Sequence, residues 1–123
     1  MRHSLRALAL ACVLAVGLTA CVTVPNPVGR QSLATVEAAY GAALSAAVAY
    51  KRLCIAKQTA IVGTNCRDVV AKLQGYDRAA HAQILIARDF VKNHPNIDAS
   101  SVISAARASV AAFQDAANAT GVN

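Results

Sequence analysis

The pair Asp77 and His81 has residue types and a spacing that suit acid–base chemistry. The two residues are four positions apart, so a helix would place the carboxylate and the imidazole next to each other on one face. Catalysis would also need a nucleophile beside them, and the sequence places no serine or cysteine for that role. Pairs with this spacing are common on exposed helix faces, so we predict a protein that is not an enzyme. No phosphate-binding loop or cluster of metal ligands occurs, so we expect no cofactor and no metal.

Two of the four cysteines, Cys54 and Cys66, could pair with each other. Eleven residues separate them, whereas a redox pair typically has two intervening residues and a zinc site usually has four closely spaced ligands. A structural disulfide is the favoured reading if the chain is exported, because disulfides persist in oxidising compartments. Metal binding and redox chemistry are the rival readings.

Basic residues gather around these two cysteines. The group consists of Lys51, Arg52, Lys57, Arg67 and Lys72, and it is accompanied by Asp68. The cations could simply complement a helix C-terminus and keep this region soluble. They could also bind an acidic partner, for which peptidoglycan carboxylates and an acidic protein face of the cell envelope are the candidates.

The N-terminal segment has the pattern of an export signal. Residues 1–6 carry two arginines, and residues 7–18 contain neither charge nor proline. Twelve residues are too few to cross a bilayer comfortably, so we expect residues 1–20 to be removed. Removal lowers the net charge from +6 to +4, with ten basic and six acidic side chains left. Such a mildly basic chain does not indicate nucleic-acid binding.

The end of this segment, Leu18-Thr19-Ala20-Cys21, resembles the lipobox of bacterial lipoproteins. The resemblance covers only the first 21 residues. It implies that the Cys21 thiol is joined to a diacylglycerol, that cleavage occurs before Cys21, and that the new amino terminus is acylated. Several acyl chains hold a protein durably on a bilayer. In this family an aspartate after the cysteine often signals inner-membrane retention, so Val22 favours the outer membrane, with the protein facing the periplasm.

The rest of the chain predicts an all-α domain. Residues 21–31 contain Pro25, Pro27 and Gly29 and are expected to form a lipidated, extended tether. Residues 32–123 are expected to form a three-helix, up-down-up bundle with helices at about 32–57, 66–93 and 99–120. The predicted caps are Ser32, Asn65 and Asp98, and the predicted stops are Pro95 and Gly121.

Each predicted helix carries an apolar stripe at steps of three and four residues. The stripes are Val36, Tyr40, Ala43, Ala47, Tyr50 and Cys54 in the first helix; Leu73, Tyr76, Ala80, Ile84, Ala87 and Val91 in the second; and Val102, Ala106, Val110, Phe113 and Ala117 in the third. Alanine provides 24 of the 103 residues from Cys21 onward, so the core should be thin. A covalent link would stabilise such a bundle considerably.

These features predict a membrane-anchored lipoprotein with a structural or binding role in the cell envelope. The alanine-rich faces also permit homo-oligomers. The body is similar to small helical lipoproteins of proteobacterial genomes and prophages, and this resemblance implies an alternative role in phage lysis or superinfection exclusion. A small envelope hydrolase that uses Asp77 and His81 is a further alternative.

Overall fold

The computed structural model describes residues 27–122. The predicted signal peptide, the lipidation site Cys21 and the first part of the tether lie outside the described residues. The described chain forms helices α1 (Pro27–Ile55), α2 (Thr59–Val62), α3 (Cys66–Asn93) and α4 (Ser100–Asn118), and this part of the chain contains no strand. The three long helices pack against one another, which confirms the predicted all-α fold and three-helix bundle.

The core mixes larger apolar side chains with many small ones: six of its 17 residues are alanine. Its members are Leu33, Val36, Ala43 and Tyr50 of α1; Val62 of α2; Cys66, Leu73, Ala80, Ile84, Ala87 and Val91 of α3; Ile103, Ala106, Val110, Phe113 and Ala117 of α4; and Ala99, which directly precedes α4. Ala80, Ala87 and Ala106 are completely buried. Alanine at these positions lets the helix axes approach closely while burying little area per residue.

The start of α1 differs from the prediction. The helix begins at Pro27 rather than at Ser32, so Ser32 lies inside the helix and does not cap it. Proline fits the first position of a helix, where its missing N–H leaves no intrahelical bond unmade. Residues 27–31 therefore belong to the bundle and not to the tether.

One position of the predicted apolar stripes is wrong, and one buried core position was not predicted. Tyr76 of α3 is 39% exposed. The residue of α3 that faces the core between Leu73 and Ala80 is Asp77 instead. Ile103 is buried in α4, whereas the predicted Val102 is only half-buried.

The predicted helix ends are largely confirmed. The bounds of α3 are as expected, but the Asn65 side chain makes no capping bond, and the Asn65 carbonyl oxygen instead accepts bonds from the N–H groups of Asp68 and Val69. Helix α4 begins one residue late, at Ser100, whose N–H and hydroxyl both donate to the Asp98 carboxylate, at 2.9 and 2.8 Å. These bonds hold the pKa of Asp98 below its usual value. Gly121 adopts a φ of +69° just after α4, as a helix terminator does.

Helix α1 is long and apolar enough to cross a membrane by length and composition alone, with a mean hydropathy of 1.3 over its most apolar stretch. Core helices of soluble proteins and signal sequences meet the same criterion. Four α1 residues (Leu33, Val36, Ala43 and Tyr50) lie in the common core, and 17% of the most apolar stretch is buried within the bundle.

The cysteines at the ends of α1 and α3 are joined. Cys54 and Cys66 form a disulfide with their Cα atoms 5.7 Å apart. The bond links the last turn of α1 to the first residue of α3, on either side of the predicted hairpin turn.

We predict that reduction of this disulfide lowers the free energy of unfolding by roughly 3 kcal/mol, because the unfolded chain loses a closed loop of about 13 residues. Denaturant unfolding with and without reductant measures the change. Alkylation of Cys54 and Cys66 in the unreduced protein, or coincident unfolding curves, would contradict it.

Candidate functional site

The hairpin tip, residues 51–72, forms one end of the bundle and contains all five of the clustered basic residues. Helix α1 ends there in a reversed turn. The N–H of Lys57 donates to the Cys54 carbonyl at 3.1 Å, and the N–H of Gln58 donates to the Leu53 carbonyl at 3.2 Å. Lys57 itself has a φ of +54°, a conformation that glycine usually occupies at this position.

The chain after this turn forms α2, a four-residue helix that the sequence analysis did not predict. It is tied to α1 by the buried Tyr50, whose hydroxyl donates to the Val62 carbonyl at 3.0 Å. Gly63, with a φ of +74°, then turns the chain toward α3. The disulfide, the hydrogen bond from the Tyr50 hydroxyl and the turn at Lys57 together fix the geometry of the tip.

All five predicted basic residues are exposed at this tip. Two carboxylates, Asp68 in the first turn of α3 and Asp115 in the last turn of α4, lie toward the same end of the bundle. Neither pairs with the cations, since the one ion pair of residues 27–122 joins Arg88 to Glu37, at 2.9 Å, on another part of the surface. The structure thus brings the predicted cluster together and leaves its positive charges available to an external anion.

The tip also exposes two large apolar side chains that the sequence analysis did not single out. Ile55 is 70% exposed at the end of α1, and Ile61 is 58% exposed on α2. A cavity of about 440 Å³ lies below α2, and it is lined by Tyr50, Ile61, Val69, Lys72, Tyr76 and Ala116, among others. A signal for Ile55 was present in the sequence, because it lies beside the stripe residue Cys54 and outside the three- and four-residue register.

The structure places His81 on the exposed face expected for such a pair, but it places Asp77 differently. Asp77 is half-buried in the core-facing register of α3, and its Oδ1 accepts a hydrogen bond of 2.6 Å from the Tyr40 hydroxyl of α1. The exposed His81 ring lies 6.1 Å from the Tyr40 ring, centroid to centroid, and the described structure shows no hydrogen bond between Asp77 and His81. Asp77 therefore serves as an acceptor that joins α3 to α1.

This contact perturbs the tyrosine. Burial, together with the hydrogen bond and the negative charge of Asp77, raises the pKa of Tyr40 from 10.0 to about 12. The Tyr40 ring also packs on Phe113 of α4, at a centroid distance of 5.9 Å. Tyr40 of α1 therefore contacts both of the other long helices.

Comparisons with known proteins identify no relative. No protein-family model, curated protein or solved structure matches the chain. The functional assignment therefore depends on the residues of the bundle and on the N-terminal motif.

We predict that the pairing of Tyr40 with Asp77 makes stability fall at alkaline pH. The pKa of Tyr40 is raised on folding. Its contribution to the free energy of unfolding is therefore fully present below about pH 10 and is lost as the pH rises through about 12. Tyr40→Phe should remove this component of the pH dependence, as measured by denaturant unfolding at a series of pH values.

Two further variants serve as controls for this prediction. Tyr76→Phe changes an exposed tyrosine on α3 and should keep the alkaline component, whereas Asp77→Asn should lower the pKa of Tyr40 toward its usual value, seen in the absorbance of tyrosinate. Identical alkaline profiles for the wild type and Tyr40→Phe would contradict the assignment.

Proposed function

We propose that the protein is a lipid-anchored component of the bacterial cell envelope that faces the periplasm and binds an anionic envelope component through its hairpin tip. Cys21, within Leu18-Thr19-Ala20-Cys21, is the proposed lipid attachment site, and the outer membrane is the proposed location. The observation that carries the binding role is the group of five exposed cations without an acidic partner in residues 27–122.

The architecture supports separate roles for the two ends of the bundle, with membrane attachment at one end and binding at the other. Helix α1 starts six residues after Cys21 in the sequence and finishes at the tip, and its 29 residues span roughly 44 Å at about 1.5 Å per residue. A lipid on Cys21 would hold one end at a bilayer and present the cations at the other. Positive charge at an exposed end speeds encounter with an anionic surface and orients the approach.

The charge at the tip exceeds what helix capping requires. Lys51, Arg52 and Lys57 lie near the C-terminus of α1, where cations interact favourably with the helix dipole. Arg67 is the second residue of α3, where the dipole disfavours a cation, and Lys72 lies beyond the first turn, where the dipole does not stabilise a cation. An anionic partner accounts for both groups, whereas helix stabilisation accounts for only the first.

The anchor is tested by replacing the proposed lipid site. We predict that Cys21→Ser abolishes labelling with radioactive palmitate and leaves an uncleaved precursor, because both steps use the cysteine thiol or its lipid adduct. Cys12→Ser is the matched control, since it changes a cysteine within the discarded segment, and it should be labelled and cleaved normally. A Cys21→Ser protein that is processed and membrane-bound like the wild type would refute the anchor.

The binding role is tested by photo-cross-linking in cells from a reactive amino acid placed at the exposed Thr64. We predict that Arg52→Glu combined with Lys57→Glu lowers the yield of cross-linked product roughly tenfold or more, since like charges at an interface cost several kcal/mol. The control combines Arg78→Glu with Lys92→Glu, which reverses two exposed cations elsewhere on α3, and should retain the product. An unchanged yield in the tip variant would exclude the cations from binding.

A further inference from the structure

The two exposed isoleucines of the tip lie among its cations. Ile55 and Ile61 flank Lys57 within the disulfide loop, residues 54–66, and this loop contains neither aspartate nor glutamate. Their exposed fractions of 70% and 58% place them among the most exposed large apolar side chains of the described residues. The tip therefore combines exposed apolar side chains with exposed positive charges.

This combination discriminates between kinds of anionic partner. Peptidoglycan carboxylates could bind the cations, but hydrated glycan strands would leave both isoleucines in water. An anionic bilayer takes both components at once, since apolar side chains enter the boundary between headgroups and acyl chains, at a depth of about 5–10 Å, while lysine and arginine bind lipid phosphates. The chemistry of the tip thus fits a phospholipid surface better than a polar polymer.

The tip is also held in place before any partner arrives. The Cys54–Cys66 bond closes the loop, the Tyr50 hydroxyl binds the Val62 carbonyl next to Ile61, and Lys57 lies within a hydrogen-bonded turn. A surface whose side chains are already positioned loses less conformational freedom on binding, which favours association.

We propose that the tip is a second membrane-binding site, in which Ile55 and Ile61 insert into the interfacial region of an anionic phospholipid bilayer and the five cations bind its phosphates. This proposal rests on the proposed function, because the lipid on Cys21 holds the opposite end of the bundle. The protein would then connect two bilayer surfaces, one through its lipid and one through its tip.

The experiment uses the lipid-modified protein, purified from membranes and reconstituted into neutral phosphatidylcholine donor vesicles. The chain contains no tryptophan, so one introduced by Ile61→Trp, or by Ile55→Trp in a second variant, reports alone. Acceptor vesicles contain phosphatidylglycerol and brominated phosphatidylcholine, which quenches tryptophan only on contact with the acyl region. We expect quenching and a blue shift of the emission from both variants.

The matched control is Ile86→Trp, which changes an isoleucine that is 52% exposed on α3, and its emission should not change. Acceptor vesicles without phosphatidylglycerol should quench none of the three variants, and added salt should reverse the effect because it screens the headgroup charge. Lys57→Gly in the Ile61→Trp background should weaken acceptor binding about fivefold, the effect of one charge near an anionic surface. The same change relieves the backbone strain at this position, so weaker binding cannot be attributed to unfolding.

Flotation of the donor vesicles separates the two proposals. Protein that fails to float with the donors would refute the lipid anchor, whereas protein that floats but shows no quenching by anionic acceptors would overturn the membrane-binding tip. Equal quenching by neutral acceptors would also overturn it, because the cations would then have no part. Cross-linking of the tip to an acidic protein in cells, without quenching by vesicles, would assign the site to a protein partner instead.

Discussion

The disulfide between Cys54 and Cys66 is the constraint on which the geometry of the hairpin tip depends. It fixes the last turn of α1 beside the first residue of α3, so the basic residues that precede Cys54 and those that follow Cys66 share one end of the bundle. Without the bond, a short helix tied by the Tyr50 hydroxyl and a single turn would have to hold the same arrangement. A closed loop also limits the conformations of the unfolded chain, which stabilises a bundle with little apolar area to bury.

The alanines of the core explain why polar contacts matter between the long helices. Completely buried alanines lie in α3 and α4, where each buries little apolar area. Asp77 occupies a core-facing position of α3 where a hydrophobic residue would be expected, and the Tyr40 hydroxyl satisfies it from α1. A half-buried carboxylate without that donor would be costly, so the pair specifies how α1 and α3 align as well as contributing to their contact.

The helices and the disulfide could be predicted from the sequence because their signals are local. The end of α3 follows from Pro95, its start was predicted correctly although the Asn65 side chain makes no capping bond, and the pairing of the cysteines follows from their positions at the two ends of a hairpin. The start of α1 was missed because proline was read as a helix breaker although it lies at the first helical position. The Tyr40–Asp77 contact and the exposure of Ile61 depend on how helices that are distant in sequence meet, and no local pattern contains that information. The N-terminal lipobox remains a prediction.

Lys57 gives a physical reason to regard the tip as more than a solvated turn. A residue with a side chain in this left-handed conformation costs about 1 kcal/mol relative to glycine. Solubility alone would not require a cation there, because the exposed neighbours Ala56 and Gln58 could carry a charge without the positive φ at Lys57. Strained residues in proteins concentrate at functional sites. Under the proposed function, the lysine in this conformation, which two exposed isoleucines flank in the sequence, serves the contact of the tip with its anionic partner.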